Sequence, residues 1–169
     1  GAYVTAAWFD IEQSNLGNPN SLVNAPSQQE GVAGIRGVEV EGIVPLGDFR
    51  LEGNVSRLDT EDPDGFHLAT VPDVQASAWL GYRPRDYWQG FKAGIGIRHV
   101  GDSWDGADAL VTPSYSLSDL MIGYETGNWD FALNVRNLAD KEYYATCIAR
   151  GDCFPGERRT VVGRAIFRY

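Results

Sequence analysis

Large apolar residues alternate with polar ones along the last part of the chain. Between Trp129 and Asn137 the apolar side chains stand on odd-numbered positions, and the polar ones stand on even-numbered positions. A period of two predicts a β-strand whose two faces lie in different surroundings. The same alternation returns at the end of the chain, where one face would hold Val161, Gly163, Ala165, Phe167 and Tyr169.

The rest of the chain repeats this pattern and predicts eight strands in all. In the first strand, one face would hold Tyr3, Thr5, Ala7, Phe9 and Ile11, and the other Asp10 and Glu12. No stretch shows the 3.6-residue period of an amphipathic helix, so the chain is predicted to be all-β. The predicted strands cover residues 2–14, 31–44, 49–58, 74–82, 90–101, 114–125, 129–137 and 160–169.

The connections between these strands alternate between long and short. Long loops are predicted near residues 15–30, 59–73, 102–113 and 145–157, and short turns at 45–48, 84–86 and 126–128. An up-and-down antiparallel sheet that crosses a bilayer produces this alternation, because one end of every hairpin faces the cell surface. About 9 to 11 residues per strand suffice to cross the hydrocarbon layer, so these strands would project beyond it.

The two faces of the predicted sheet differ in character. A soluble sandwich or a lipocalin-like barrel would also alternate, so periodicity alone leaves both readings open. Charges and glycines on one face favour a wide, water-filled lumen. Aromatic residues gather at the short-turn ends of the other face, as in an interfacial girdle: Phe49, Tyr82, Phe91, Tyr124, Trp129 and Tyr169. The polar face would carry Arg50, Glu52, Lys92, Arg98, Asp119, Asp130, Arg136, Arg164 and Arg168, with Gly94, Gly96 and Gly123.

Composition narrows the class of protein further. The chain has no apolar run of the length a transmembrane helix needs, and its formal net charge of -9 argues against a nucleic-acid partner. Its two cysteines suit an oxidising compartment, with two unrelated free thiols as the alternative. Gly1 leads directly into a strand-like segment without a signal peptide, so we expect a piece of a longer protein.

Candidate catalytic chemistry is sparse. His67 and His99 have no second histidine or cysteine at ligand spacing, so we expect ordinary exposed or interfacial side chains. No helix follows Gly94 and Gly96, which argues against a phosphate loop. The acidic run Asp59, Glu61, Asp62 and Asp64 could bind calcium, but its spacing is more typical of a solvated loop tip. We therefore expect neither an enzyme nor a bound cofactor or metal.

The C-terminal sequence resembles a known family. The segment from Asn134 to Tyr144 contains the core Asn-Leu-Ala-Asp-Lys-Glu-Tyr, and Cys147 and Cys153 are followed by Gly-Glu-Arg-Arg. Together with the terminal Phe-Arg-Tyr, these motifs resemble the C-terminus of TonB-dependent ferric-siderophore receptors of the bacterial outer membrane. The cysteine pair most resembles the ferrichrome and ferrioxamine (hydroxamate) branch.

This resemblance implies a fold and a function. Residues 1–169 would form the C-terminal portion of a barrel domain, about eight strands of a larger plugged transmembrane barrel. The full-length protein would capture a ferric siderophore and pass it inward with energy from the TonB complex, engaged through an N-terminal region. Outer-membrane lipid, lipopolysaccharide and the barrel assembly machinery would be further partners. The alternative is a stand-alone eight-stranded outer-membrane barrel with a structural or adhesive role.

Three sets of residues follow as site predictions. Five residues separate Cys147 from Cys153, so we expect a disulfide across the last loop, with linkage to a partner chain as the alternative. Phe167 and Tyr169 resemble the signal that the assembly machinery reads, although Tyr169 could simply be an interfacial anchor. Aromatics at the lumen mouth would contact the siderophore, or would only pack the loops together: Trp104, Tyr115, Tyr143, Tyr144 and Phe154.

Overall fold

The computed structural model describes residues 1–15 and 31–169 as an antiparallel β-structure built around one sheet of eight strands. Four short strands form two hairpins inside the loops. In the part of the chain that is described, no helix is long and apolar enough to cross a membrane. The strands are β1 (Tyr3–Ser14), β2 (Val32–Leu46), β3 (Phe49–Glu61), β4 (Val74–Tyr82), β5 (Phe91–Val100), β6 (Ser103–Trp104), β7 (Val111–Thr112), β8 (Tyr115–Thr126), β9 (Trp129–Arg136), β10 (Tyr144–Cys147), β11 (Cys153–Pro155) and β12 (Thr160–Phe167).

The large sheet follows the order of the sequence. Its strands are arranged β1-β2-β3-β4-β5-β8-β9-β12, each antiparallel to its neighbour, so that β1 and β12 form the two edges. This arrangement confirms the predicted up-and-down topology. The predicted loop at 15–30 lies outside the described residues, apart from Asn15. The three remaining long loops, 62–73, 101–114 and 137–159, emerge at the same end of the sheet, because successive strands alternate in direction.

The third strand is longer than predicted. The sequence pattern placed the end of this strand at Leu58 and the start of a loop at Asp59, but β3 continues to Glu61. Asp59 pairs with Arg36 of β2, and Arg36 in turn donates to the Asp10 carboxylate at 3.1 Å. The β2–β3 ladder thus continues through a polar stretch that resembles a loop in sequence, with opposite charges at facing positions.

The register separates an apolar face from a polar face. On β5, Ile95 pairs with Leu80 and with Leu120, while Lys92, Gly94, Gly96 and Arg98 lie on the opposite face. The alternation predicted for the first strand is correct, and the pairing of β1 with β2 shows which of its two sets of residues lies on each face of the sheet. Trp8 lies opposite Val38 and continues the apolar face, whereas Ala7 lies opposite Glu39 on the polar face together with Tyr3, Thr5, Phe9 and Ile11.

The glycines of the polar face make room for side chains of neighbouring strands. A Cβ at Gly94 or Gly96 would overlap the indole of Trp79, which lies flat across both residues from β4. A Cβ at Gly123 would likewise overlap the side chain of Lys92. Large side chains of neighbouring strands, Trp79 and Lys92, thus occupy the space that these glycines leave on the polar face.

The short-turn end of the sheet is closed by ion pairs and by aromatic contacts. On the polar face Lys92 Nζ donates to the buried Asp130 carboxylate at 2.7 Å and to Glu125 at 3.0 Å. On the apolar face the rings of Phe49 and Tyr82 lie 4.8 Å apart, and those of Trp129 and Phe167 lie 5.0 Å apart. Aromatics thus cluster at this end of the apolar face, where the alternation placed them.

Candidate ligand-binding site

The first two long loops in the described part of the chain dock against each other. The imidazole of His67 stacks on the indole of Trp104, with ring centroids 3.9 Å apart and planes 10° apart. His67 Nδ1 lies 2.9 Å from the Asp108 carboxylate, and the backbone N–H of Thr70 donates to the carbonyl of Trp104 at 2.8 Å. Loops 62–73 and 101–114 therefore form one layer, and His67 is half-buried at the contact between them.

The last loop joins this layer through a buried hydrogen bond. The backbone N–H of Cys147 donates to Thr112 Oγ1 at 2.7 Å, and both residues are 2% exposed. Thr112 belongs to the β6–β7 hairpin, which is itself carried by loop 101–114. Three loops at the long-loop end are thus connected in series.

The predicted disulfide is present. Cys147 and Cys153 are bonded and face each other across the β10–β11 hairpin. The same hairpin pairs Tyr144 with Pro155 and Thr146 with Phe154. The covalent link therefore fixes the positions of Tyr144 and Phe154 on the two strands, and of the residues just outside the hairpin.

The base of this loop is closed by Asn137. This side chain is 2% exposed, and its amide donates to the carbonyls of Lys141 and Glu157 at 2.8 and 3.1 Å. Its Oδ1 accepts from the N–H of Lys141, and its own N–H donates to the Asp119 carboxylate at 2.9 Å. The φ of 51° at Asn137 lies in the left-handed region, which asparagine tolerates better than most residues. The Asn-Leu-Ala-Asp-Lys motif is therefore a structural clasp.

A second clasp joins the two ends of the same loop. Arg158 donates to both oxygens of the Asp140 carboxylate, at 3.0 and 2.8 Å, and also pairs with Glu142. The backbone N–H of Arg159 donates to Asp140 at 2.9 Å. The hydrogen bond from Arg158, together with the one from Arg159, lowers the pKa of Asp140 well below its usual range. The same contact with Asp140 raises the pKa of Arg158.

These clasps surround a cleft rich in tyrosine. The rings of Tyr115 and Tyr143 lie 4.2 Å apart, and Tyr115 begins β8 on the polar face of the sheet. Gly156 lies directly beneath Tyr143, so closely that any side chain there would overlap the ring. The cleft has a volume of about 600 Å³, and its lining includes Tyr115, Tyr143, Tyr144, Lys141, Glu142 and Arg158.

An ion pair lies on the polar face close to these tyrosines. Arg98 Nε donates to the Asp119 carboxylate at 2.7 Å, and Asp119 also accepts from the Asn137 N–H. The pair therefore links the wall of the sheet to the base of the last loop. The cleft combines aromatic faces, phenol hydroxyls and paired charges, which suits a ligand with apolar stems and hydrogen-bond acceptors.

The structure brings together only part of the predicted contact set. Tyr115, Tyr143 and Tyr144 meet in the cleft, whereas Trp104 is stacked on His67 between two loops. Phe154 stands on the disulfide hairpin but does not line this cleft. Arg158 and Glu142 were missed as lining residues. Arg158 lies in the Gly-Glu-Arg-Arg run after the second cysteine, and Glu142 lies in the Asn-Leu-Ala-Asp-Lys-Glu-Tyr core before the first.

Comparison with known proteins identifies the family of this fold. Residues 1–138 match the model of the TonB dependent receptor-like β-barrel. The chain belongs to the TonB-dependent receptor-like β-barrel family. Its sheet is thus a segment of an outer-membrane barrel, with the apolar face toward lipid and the polar face toward the lumen.

Curated relatives of this TonB-dependent receptor-like segment include two receptors from enteric bacteria. It is 32% identical to the ferrioxamine B receptor of Salmonella typhimurium (strain SL1344) over 94% of the chain and 24% of that protein. It is also 32% identical to the ferrichrome outer membrane transporter/phage receptor of Escherichia coli K12, over 92% of the chain and 23% of that protein. The chain thus spans about a quarter of the length of these relatives.

A solved structure shows the same architecture. The closed form of the ferric-catecholate import receptor Fiu from E. coli K12 superimposes with a TM-score of 0.77 at 26% identity, covering 97% of this chain and 25% of that one. The sheet described above is therefore shared with a ferric-catecholate import receptor.

Proposed function

We propose that this segment forms part of an outer-membrane transporter that captures a ferric hydroxamate siderophore and imports it with energy from TonB. The tyrosine cleft on the lumen side of the long-loop end carries this proposal. Ferric complexes are too bulky and too scarce for passive diffusion through a narrow pore to supply a cell. A high-affinity surface site overcomes the scarcity of the ligand, and energy-dependent passage overcomes its bulk.

The partners follow from the position of the segment in a larger barrel. The polar face would pack against an N-terminal plug, which would carry the segment that engages TonB. The apolar face would contact lipid and lipopolysaccharide, and the strands would be inserted by the barrel assembly machinery. The siderophore enters as a transported ligand, and no resident cofactor is part of the proposal.

The alternative of a stand-alone eight-stranded barrel has less support. Such a barrel would pair its first and last strands, whereas β1 and β12 are the two edges of the sheet. Relatives about four times as long in which this segment matches one quarter also favour a larger barrel.

Alanine variants of the aromatic residues test the proposed site in the full-length receptor. Replacing Tyr115 or Tyr144 should raise the Kd for a ferric trihydroxamate by roughly ten-fold, as for a truncated aromatic anchor. Trp104→Ala and Phe154→Ala are the parallel test of the two remaining predicted contacts. Tyr87→Ala is the matched control, because Tyr87 is 85% exposed on a short turn at the opposite end of the sheet.

Binding is measured on whole cells with radioactive iron, together with uptake at constant receptor number. Uptake that requires TonB and falls with the cleft variants is the expected result. A receptor that binds no ferric hydroxamate would refute the transport proposal. Unchanged affinity in both tyrosine variants would remove the cleft from it.

A further inference from the structure

Lys92 lies at the centre of an ion-pair cluster on the polar face, at the short-turn end of the sheet. Its Nζ is 2.7 Å from the Asp130 carboxylate and 3.0 Å from that of Glu125. Arg83 donates to the same Glu125 at 2.8 Å. The Asp130 side chain is 6% exposed and that of Lys92 is 17% exposed, so this ion pair is well shielded from solvent. Two cations therefore neutralise the two carboxylates.

Arg164 of β12 and Arg168 just beyond it add two further positive charges. Their guanidinium groups lie 3.7 and 3.6 Å from Asp130 Oδ2, and neither side chain forms a hydrogen bond among residues 1–15 and 31–169. Because Asp130 already accepts from Lys92, it does not neutralise these two arginines as well. Both side chains are more than half exposed on the polar face. We call the four cations the basic wall: Arg83, Lys92, Arg164 and Arg168.

A cleft lies beside the basic wall. It has a volume of about 690 Å³, and Arg83 and Lys92 line it. Arg50 and Arg85 line it as well, and each of these lies within ion-pair distance of one carboxylate. The excess positive charge therefore remains at the two arginines near the end of β12, and the cleft leaves room beside the wall for an approaching segment.

A group that packs on the basic wall has to supply negative charge. A guanidinium that is buried without a partner carries a desolvation cost, which a carboxylate offsets through two parallel hydrogen bonds. The chain spans about a quarter of the length of its curated relatives. In the function proposed above, an N-terminal plug outside these residues packs against the polar face.

We propose that the basic wall docks a carboxylate-bearing segment of the N-terminal plug through Arg164 and Arg168. The inference rests on the function proposed above and names the chemistry by which its plug is held. Both guanidinium groups lie close to Asp130 of β9, and therefore point away from the open edge of β12. A further barrel strand at that edge would lie behind them, whereas a segment inside the barrel would face them.

Amide hydrogen exchange of the full-length receptor, followed by mass spectrometry of its peptides, tests this docking. Arg164→Gln with Arg168→Gln removes both charges and keeps polar side chains. We expect one plug peptide that contains Asp or Glu to exchange roughly ten-fold faster, because it loses charge-assisted hydrogen bonds. Arg164→Lys with Arg168→Lys keeps the charges and should retain most of the protection.

Arg57→Gln with Arg150→Gln is the matched control. Arg57 lies opposite Val38 on the apolar face, and Arg150 lies in the turn between β10 and β11. Both are exposed. This double variant makes the same change in net charge away from the basic wall, so exchange in the plug should stay as it is in the unmodified receptor.

A photo-cross-link identifies the docked segment while both arginines stay in place. Ile166 lies between them in sequence, on the polar face opposite Asp130, and is replaced by p-benzoylphenylalanine. Irradiation of the full-length receptor in outer-membrane vesicles should join this position to a plug peptide that contains Asp or Glu. A cross-link to a barrel strand alone would overturn the docking proposal.

Both measurements need neither siderophore nor TonB, so docking and transport can fail separately. Unchanged exchange in the glutamine variant, or a change confined to barrel peptides, would overturn the docking proposal and leave the transport proposal standing. An equal change in the control variant would also overturn it, because the effect would then follow from net charge. If the unmodified receptor takes up no ferric hydroxamate, the proposed transport function is refuted, whatever the exchange data show.

Discussion

Asn137 shows how one residue of a family motif serves the structure of a loop. Its four hydrogen bonds close the base of the last loop, and its left-handed φ places the chain for the turn that follows. A buried amide of this kind cannot be exchanged for an apolar residue without leaving backbone groups unpaired. Asn137 therefore meets a physical requirement of this turn, while Lys141, Glu142 and Tyr143 of the same motif line the cleft.

Replacing Asn137 by alanine should destabilise the last loop and the barrel edge it rests on. Backbone carbonyls of Lys141 and Glu157 would lose their donors, at a cost of about 1–3 kcal/mol for each group that stays buried. The measurement is the temperature at which the folded full-length receptor loses its fast electrophoretic mobility in detergent. Asn134→Ala on the same strand is the control, because Asn134 is exposed. Equal stability of the two variants would contradict the clasp.

Several residue roles could not be obtained from the sequence. Trp79 and the glycines it covers belong to adjacent strands, and only the register of β4 on β5 brings Trp79 opposite Gly96. Likewise, Tyr143 and Gly156 are separated by the disulfide hairpin, so their contact depends on its pairing. Contacts of this kind are set by tertiary alignment, which local alternation does not encode.

At the scale of elements, the eight long strands were predictable because alternation and turn chemistry agree. Thr126-Gly127-Asn128 is a turn in both sequence and structure, with Gly127 at a φ of 55°. The β6–β7 and β10–β11 hairpins were not predicted, since strands of two to four residues carry too few alternating positions. The predicted end of the third strand was wrong for a different reason. Asp59 is typical of a loop in sequence, and only the structure shows that it lies opposite Arg36 in the sheet.

The Asp140–Arg158 clasp predicts how the last loop responds to acid. Because the folded pKa of Asp140 is lowered, its stabilising contribution is complete above the ordinary aspartate range, near pH 4, and is lost only as pH falls through the lower folded value. The rate at which a phosphine reduces the Cys147–Cys153 disulfide should therefore stay low from neutral pH through the ordinary aspartate range and rise below it.

Arg158→Gln is the variant that checks this assignment. Without the guanidinium, Asp140 keeps only the Arg159 N–H as a donor, so the loop should open more often and the disulfide should be reduced several times faster at neutral pH. Arg150→Gln is the control, because Arg150 lies in the turn between β10 and β11 and is well exposed. If the disulfide is reduced as slowly in Arg158→Gln as in the unmodified receptor, the Asp140–Arg158 pair does not hold the last loop closed.

At the scale of the molecule, the sheet formed by residues 1–15 and 31–169 has two edges that no further described strand pairs with, and one apolar face. Strands β1 and β12 each have a single neighbour, and Trp8, Val4 and Val161 are exposed. A segment with such edges pairs readily with other copies of itself. Expressed alone in aqueous buffer, residues 1–169 should elute as large aggregates in size-exclusion chromatography. A stable monomer in buffer would contradict the view that these edges pair with further strands.

Tyr169, the last residue of the sequence, can distinguish recognition by the assembly machinery from a contribution to the stability of the folded segment. Tyr169 lies beyond the end of β12 and is fully exposed, whereas Phe167 packs on Trp129 with ring centroids 5.0 Å apart. Removal of Tyr169 should therefore change the folded segment very little. If the barrel assembly machinery recognises Phe167 and Tyr169 in the unfolded chain, deletion of Tyr169 from the full-length receptor should still lower the amount of receptor assembled in the outer membrane.

The measurement compares assembled receptor, by surface labelling, with the Kd per assembled receptor. We expect the first to fall markedly and the second to stay constant, because the tyrosine cleft lies at the other end of the sheet. Tyr87→Ala, which removes another exposed tyrosine from a short turn at the same end, should assemble normally. Normal assembly after deletion of Tyr169 would leave it as an interfacial anchor, and a matching loss in Tyr87→Ala would point to the membrane interface rather than to a C-terminal signal.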